Sequence, residues 1–321
     1  MKQIKASVRI IKGFDNFEQI PNPVITIGTF DGVHIGHQKI IQQLNEEAEK
    51  IGGESVLFTF YPHPRMVLFP DSHGIKLIQT QIEKLNKLKE VGLKNVVVFP
   101  FTKEFSRLTA TEFVRDYLVA KLQAKMMVIG YDHQFGKNRE GTLELLKELA
   151  PIYDFDVKEI AAQDIEEVNV SSTKIRRALL DGDIYTANKY LGAPFTLSGK
   201  VIRGNEIGRS IQFPTANLDV DGSMKLIPAQ GVYAVKVTLE SGSDFYGLLN
   251  IGTRPTVDNA DHLSVEVHIL DFKGDLYGQE LTLTFLKRIR NEEKFSSLDA
   301  LKAQIEKDEV LVRHTILEHN W

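Results

Sequence analysis

Gly28-Thr29-Phe30-Asp31-Gly32-Val33-His34-Ile35-Gly36-His37-Gln38 decides how the first half of this chain is read. It follows the apolar run Val24-Ile25-Thr26-Ile27, a buried-strand pattern, and precedes Lys39-Ile40-Ile41-Gln42-Gln43-Leu44, whose apolar spacing is helical. A strand, a glycine-bearing turn and a helix N-terminus together offer unpaired N–H groups and the positive end of a helix dipole to phosphate. His34 and His37 stand about one helical turn apart, so both imidazoles can face one ligand. Gly36 between them removes a side chain where a triphosphate would approach closely. The pattern predicts a nucleotide-handling site, against the plainer reading of a strand–helix turn carrying two exposed histidines.

Outward from this turn, the first half alternates strand and helix. Strand patterns cover Val24–Ile27, Ser55–Phe60, Asn95–Phe99, Met126–Ile129 and Phe155–Ile160, with helical patterns at Gly36–Ile51, Gln79–Val91, Thr109–Leu122 and Thr142–Leu149. Strands separated by helices predict a doubly wound parallel sheet, whose ligands bind beyond the C-terminal ends of the strands. Gly28–His37, Tyr61–Arg65 and Gly130–Gly136 all follow predicted strands. After the helical stretch Asp183–Tyr190, near Leu191-Gly192-Ala193-Pro194, the pattern changes. Thr196–Ile202, Val232–Leu239, Asp244–Leu249, Leu263–Leu270 and Glu280–Leu286 alternate with period two, and Ser296–His319 is helical. These strands without intervening helices predict a small antiparallel barrel capped by a C-terminal helix, with the boundary at 188/189.

Composition bounds the function. The chain has 321 residues, enough for two domains, and its 42% apolar and 26% charged content is that of an ordinary globular protein. A net charge of −4 argues against nucleic acid as a partner bound through counterion release. Cysteine is absent, which removes disulfides and thiolate metal sites and suits a reducing compartment. The N-terminal residues lack the apolar run of a signal peptide, and no stretch approaches the ~20 apolar residues of a membrane span. A cytoplasmic protein without a membrane partner is expected; oligomeric state is not legible.

His-x-Gly-His after Gly-Thr-Phe-Asp-Gly resembles the nucleotidyltransferase superfamily, whose members attach a nucleoside monophosphate to a phosphate and release pyrophosphate. Val170-Ser171-Ser172-Thr173-Lys174-Ile175-Arg176-Arg177 predicts a serine-capped helix with basic residues. Alone it reads as a surface helix, but Ser-Ser-Thr-x-Ile-Arg resembles the FAD synthetase members of that superfamily. Thr59-Phe60-Tyr61-Pro62-His63-Pro64-Arg65 resembles their Pro-His-Pro loop, and Gly130–Gly136 their Gly-x-Asp-x-x-Phe-Gly loop. In the second loop His133 and Gln134 replace an aromatic and a basic residue.

In the second half, Gly204-Asn205-Glu206-Ile207-Gly208-Arg209-Ser210-Ile211-Gln212-Phe213-Pro214-Thr215-Ala216-Asn217 is glycine-bearing but is not a Walker A loop. Phe-Pro-Thr-Ala-Asn resembles the riboflavin kinases, with Gln212 in place of the usual glycine. Val265-Glu266-Val267-His268 alternates as a strand with Glu266 and His268 on one face, which alone means only an amphipathic strand. With Leu276-Tyr277-Gly278 it completes a riboflavin kinase pattern. Asn250–Thr256 and Arg290–Phe295 also match stretches of that family.

The resemblance therefore spans Gly28 to Phe295 and implies a prokaryotic-type bifunctional riboflavin kinase/FAD synthetase: an FMN adenylyltransferase domain at 1–188 and a riboflavin kinase domain at 189–321. It implies Glu266 as the base for riboflavin phosphorylation, with Mg²⁺ accompanying ATP at Thr215 and Asn217. Gly204, Gly208, Arg209 and Asn217 are the implied nucleotide contacts there. For adenylylation it implies His34, His37 and Arg176, with Gly28, Thr29, Phe30, Asp31, Gly36, Ser171, Ser172 and Thr173 around the nucleotide. Phe60, His63, Asp132, Arg290 and Glu293 are the implied flavin contacts. The chemistry divides accordingly. An alcohol needs help losing its proton, whereas the FMN phosphate, with a second pKa of about 6, is already largely ionised. Its transfer needs donors for developing charge rather than a base. Three alternatives stand beside this reading: activity in one half only, a non-catalytic flavin-binding protein, and a class I aminoacyl-tRNA synthetase, whose second, lysine-rich loop Ser-Ser-Thr-Lys-Ile matches poorly.

Overall fold

Alternate strand residues project to opposite faces of a sheet, and in the first half both faces are apolar. Val24, Leu57, Val96 and Val128 pack on one side and Ile25, Ile27, Val56, Phe58, Val97, Met127 and Ile129 on the other. The computed structural model describes residues 8–15, 17–70, 75–130, 133–160, 170–204, 208, 211–222, 224–254 and 262–319. It forms two compact units, Met1–Ser172 and Thr173–Trp321.

In the first unit, β1 (Arg9–Lys12), β2 (Val24–Ile27), β3 (Ser55–Tyr61), β4 (Asn95–Pro100), β5 (Met126–Gly130) and β6 (Asp156–Ile160) form one sheet in the order β1-β4-β3-β2-β5-β6. All pairs are parallel. The chain runs from β2 through β3 to β4 on one side, then crosses to β5 on the other. The loop after β2 thus leaves the sheet at the point where strand order reverses, the place where open α/β sheets take ligands. Helices α1 (Ile35–Lys50) and α3 (Gln81–Glu90) bury Ile41, Leu44, Ala48 and Leu88 on one face. Helix α2 (Pro64–Leu68) is a short turn after β3.

Helix α4 (Ala110–Phe113), capped reciprocally by Thr109 and Glu112, continues as a π-helix over Val114–Val119. With α5 (Leu143–Tyr153) it covers the opposite face through Phe113, Val114, Leu118, Leu146 and Leu149. The five predicted strands are present. The additional β1 is a four-residue edge strand, Arg-Ile-Ile-Lys, whose charged and apolar residues do not alternate, so its period is not seen.

The second unit begins with α6 (Ser172–Asp181, whose first residue still belongs to the first unit) and α7 (Ile184–Leu191). Strands β7 (Thr196–Ile202), β8 (Ala216–Asp219), β9 (Gly231–Leu239), β10 (Asp244–Arg254), β11 (His262–Ile269) and β12 (Glu280–Arg290) close into an antiparallel barrel ordered β10-β11-β8-β7-β12-β9. Closure leaves no open sheet edge. Val232, Ala234 and Leu248 pack with Val312 of α8 (Leu298–His319). The division at 172/173 lies before the 188/189 boundary because α7 attaches to the barrel: Asn188 donates to the Phe285 carbonyl and accepts from the Phe195 N–H. The turn after α6 is tied there too, since Arg288 donates to the Asp181 and Gln230 carbonyls.

Phe58 is fully buried amid Phe14, Phe60, Phe99 and Phe113. Phe58→Ala should destabilise the first unit by about 3–5 kcal/mol, because a ring this enclosed leaves a cavity. Urea unfolding followed by intrinsic fluorescence and circular dichroism measures that loss.

Candidate active sites

The β2–α1 turn is built from unusual backbone. Phe30 (φ 49°), Gly32 (φ 90°) and Val33 (φ 33°) all take positive φ. That region is disfavoured for side chains bearing a Cβ, so surrounding contacts must hold it. Phe30 is buried and stacks on His37 at 4.3 Å, and a Cβ at Gly28 would lie 2.8 Å from the Phe30 ring. Gly28 is therefore required by Phe30. Gly36 similarly clears room for His34, since a Cβ there would stand 3.3 Å from that imidazole.

His34 is the N-cap of α1, and its Nδ1 accepts the His37 N–H at 3.3 Å. An Nδ1 that accepts leaves the proton on Nε2. The two imidazoles stack at 3.6 Å with 16° between their planes, so the expected juxtaposition is present. His37 Nδ1 is buried with no hydrogen-bond partner. Burial lowers the His34 pKa to about 4, against a backbone hydrogen bond that raises it. His37 is pushed well below its ordinary value by burial first, then by charge at His34 and Lys84. Both are neutral N–H donors at neutral pH, not cations.

Beneath the turn lies a pair of buried charges. Asp31 accepts the Ile78 N–H with both carboxylate oxygens at 3.1 Å and the Gln79 N–H at 3.1 Å, so this carboxylate ties the turn to the start of α3. Lys84 of α3 is buried and donates to the Thr29 carbonyl and to Thr59 Oγ1, each at 3.2 Å. Burial lowers its pKa to about 8, opposed by the Asp31 carboxylate. The sequence reading missed Lys84. Its signal was the four-residue spacing from Leu88, which places a lysine on the apolar face of α3.

Ser172 donates to the Asp31 carbonyl at 2.9 Å, bringing the Ser171-Ser172 segment to the same turn. Thr173 is exposed and Arg176 half-buried on α6, in the second unit. Phe60 packs edge-on with Phe58 and Phe101 and obliquely against Phe105. His63 caps α2, its Nδ1 accepting the Arg65 N–H at 3.2 Å, a conformational role the Pro-flanked reading allowed. Asp132 lies outside the described residues.

In the barrel, Glu266 of β11 is paired across the sheet with Asn217 of β8 and Asn250 of β10. Thr215 donates to Glu266 Oε2 at 3.2 Å. His268, on the same strand face, bonds through Nδ1 to the Pro214 carbonyl at 2.8 Å and holds Phe213 edge-on. Thr215, Asn217 and Glu266 therefore converge. Gly204 makes room for Asn217, whose Nδ2 would lie 2.2 Å from a Cβ, and Gly208 for the Phe213 carbonyl at 2.2 Å. Gln212 has φ 69°, which explains why glycine suits its position. Arg209 lies outside the described residues.

Arg290, an implied flavin contact, is held by a buried partner. Its guanidinium pairs with the fully buried Asp308 of α8 at 2.8–3.1 Å and lies 5.7 Å from the Phe295 ring. Glu293 is exposed.

Residues 17–174 match the FAD synthetase family and residues 191–316 the riboflavin kinase family. Fold and matches define a two-part flavin-nucleotide enzyme, an α/β nucleotidyltransferase unit followed by a kinase barrel. The Escherichia coli K12 bifunctional riboflavin kinase/FMN adenylyltransferase is 40% identical over 308 residues, covering 95% of this chain and 97% of that protein. The Listeria monocytogenes protein of the same description is 40% identical over 90% of each. A crystal structure described as a macrolide-efflux protein from Streptococcus pneumoniae has a TM-score of 0.84 at 33% identity, covering 95% of this chain and 99% of that one. Among the described residues no helix is long and apolar enough to cross a membrane. The chain belongs to the bifunctional riboflavin kinase/FMN adenylyltransferase family, enzymes that phosphorylate riboflavin to FMN and adenylylate FMN to FAD.

The histidine burial carries a pH consequence. Between pH 6.5 and about 4 the unfolded chain binds a proton at His34 that the folded chain refuses, so stability is complete above that window and is lost as pH falls through it. The melting temperature should decline across this range, and His34→Gln should flatten the decline, with His37 retaining its share. Calorimetry of both proteins at fixed ionic strength from pH 7 to 4 tests this.

Proposed function

We propose that the two reactions are divided between the two units, adenylylation on the β2–α1 turn and phosphorylation at the Glu266 cluster. The observation that carries this reading is that each unit gathers a set of groups suited to one step and lacking what the other requires. The turn holds neutral N–H donors and a helix N-terminus but presents no free carboxylate base, because Asp31 is turned inward onto Ile78 and Gln79. The barrel holds a half-buried carboxylate beside a hydroxyl and an amide.

In the kinase step the 5′-hydroxyl of riboflavin attacks the γ-phosphorus of ATP, its proton passes to Glu266, and the bond to ADP breaks. Thr215 steadies Glu266 Oε2. Thr215 and Asn217 offer the oxygen donors a hard cation prefers and would hold the Mg²⁺ that accompanies ATP, which screens phosphate charge there. Among the described residues no group of three or more His, Asp or Glu could hold a metal by itself, which fits an ion carried by nucleotide phosphates. Gly204 and Gly208 keep the loop backbone close to the nucleotide.

In the adenylylation step an oxygen of the FMN phosphate attacks the α-phosphorus of ATP and pyrophosphate departs. His34 Nε2–H, the N–H groups at the start of α1 and the Ser171-Ser172 segment stabilise charge on the transferring group. Burial keeps the histidines neutral, so they serve as hydrogen-bond donors, and Arg176 is the cation that the family motif implies. Phe60 and His63, at the C-terminal end of β3, border the flavin. ATP, riboflavin and FMN are the partners of this reading, with neither nucleic acid nor membrane, and a reducing cytoplasm suits a chain without cysteine.

Glu266→Ala should lower FMN formation at least about 100-fold, the usual scale for losing a general base, and leave FAD formation from supplied FMN within twofold. His34→Ala with His37→Ala should do the reverse and accumulate FMN. Chromatography of products from riboflavin, ATP and Mg²⁺, with and without added FMN, reads both. A folded variant that lost both activities would overturn the division.

A further inference from the structure

The adenylylation step as described gives no role to Lys84 or Thr59, two polar side chains buried under the turn at 6% and 0% exposure. They form a closed triangle on one atom. Lys84 Nζ donates to the Thr29 carbonyl at 3.2 Å and to Thr59 Oγ1 at 3.2 Å, and Thr59 Oγ1 donates to the same carbonyl at 3.3 Å. The Thr29 carbonyl and the Phe30 N–H belong to one planar trans peptide and point in opposite directions. A carbonyl drawn inward from two sides therefore aims the Phe30 N–H outward, and that N–H has no hydrogen bond among the described residues. Phe30 also has the left-handed φ of 49°, a conformation that must be held from outside the turn.

We propose that Lys84 and Thr59 are positioning residues for adenylyl transfer, locking the Thr29–Phe30 peptide so that the Phe30 N–H is presented to a phosphate oxygen of ATP. This rests on the assignment of adenylylation to the Gly28–His37 turn. It gives a use to a lysine that stands where a methionine of similar shape would avoid desolvating a charge. The charged and titratable groups facing the ammonium are the Asp31 carboxylate, which favours it, and His37, which is neutral.

The test uses the full chain labelled with ¹⁵N-phenylalanine, the Phe30 amide signal being identified by its loss in Phe30→Leu. Inorganic pyrophosphate with Mg²⁺ should shift that signal in the native protein and leave it unmoved in Lys84→Met and in Thr59→Val. Each variant should lower the kcat of FAD formation from FMN tenfold or more, with riboflavin phosphorylation by the same molecule within twofold and with native far-ultraviolet circular dichroism and native dispersion of the other phenylalanine amide signals as proof that the first unit is folded. Because both act on one peptide, the double variant should be no slower than the slower single. An unchanged pyrophosphate response in both variants, or single losses that multiply in the double variant, overturns the proposal. If Lys84→Met does not fold, Thr59→Val decides alone, since it exchanges a hydroxyl for a methyl at constant shape. Native protein that makes no FAD from FMN and ATP would instead refute the underlying assignment.

Discussion

The β2–α1 turn exists in a backbone conformation its own residues do not prefer, and the first unit is arranged to hold it there. Phe30 and Val33 sit at positive φ without being glycine. What restrains them lies elsewhere in the chain: the Asp31 carboxylate caps the N–H groups leading into α3, and Ser172 reaches the Asp31 carbonyl from the start of α6. On the proposed assignment the cost of burying charge under this loop has a use, because a phosphate site works best when its N–H groups are fixed before the ligand arrives. A relaxed turn would satisfy its own backbone and leave nothing for the nucleotide. β2 lies beside the strand-order reversal, the place where open α/β sheets take ligands.

The barrel reaches a comparable result by another route. The side chains proposed to act there are set by strand register: Glu266 is opposite Asn217 on one neighbour and Asn250 on the other. Register within a closed barrel is fixed by the buried alternate residues, here Val265, Val267 and Ile269. Shifting β11 by one residue would turn Glu266 into the core, so the fold and the site are specified by the same pairing. The first unit stores strain in a loop, whereas the second stores its precision in a hydrogen-bonded lattice.

Legibility followed these two modes. The parallel sheet, the barrel and the nearness of His34 to His37 were readable because each rests on a local period or a short motif, whereas the stacking of the two rings was not. Strand β8, four residues long, carries too little alternation to register, and the π-winding of Val114–Val119 leaves no mark in composition. Lys84 was missed because burial of a lysine is decided by partners far along the chain, Thr29 and Thr59. Arg290 carries a structural partner that its motif did not reveal: its guanidinium is engaged by Asp308, a residue in a helix whose charges look like ordinary solvated ones. Gly28 and Gly36 read as room for a nucleotide, and in the structure the space beside them is taken by Phe30 and His34.

The Arg290–Asp308 pair also sets an order in time. Every strand of the parallel sheet is complete by Ile160, so that unit can fold while the barrel is still being synthesised, as N-terminal domains commonly do. The barrel cannot. Its last strand ends at Arg290, and that cation finds its buried carboxylate only when translation has passed Asp308 on α8. A nascent chain interrupted between these residues would carry a finished nucleotidyltransferase sheet and a barrel with an unneutralised guanidinium and no helix over Val232 and Leu248. Proteolytic surveillance would therefore find its first substrate in the C-terminal half, and truncated products of this gene should persist as the N-terminal unit alone.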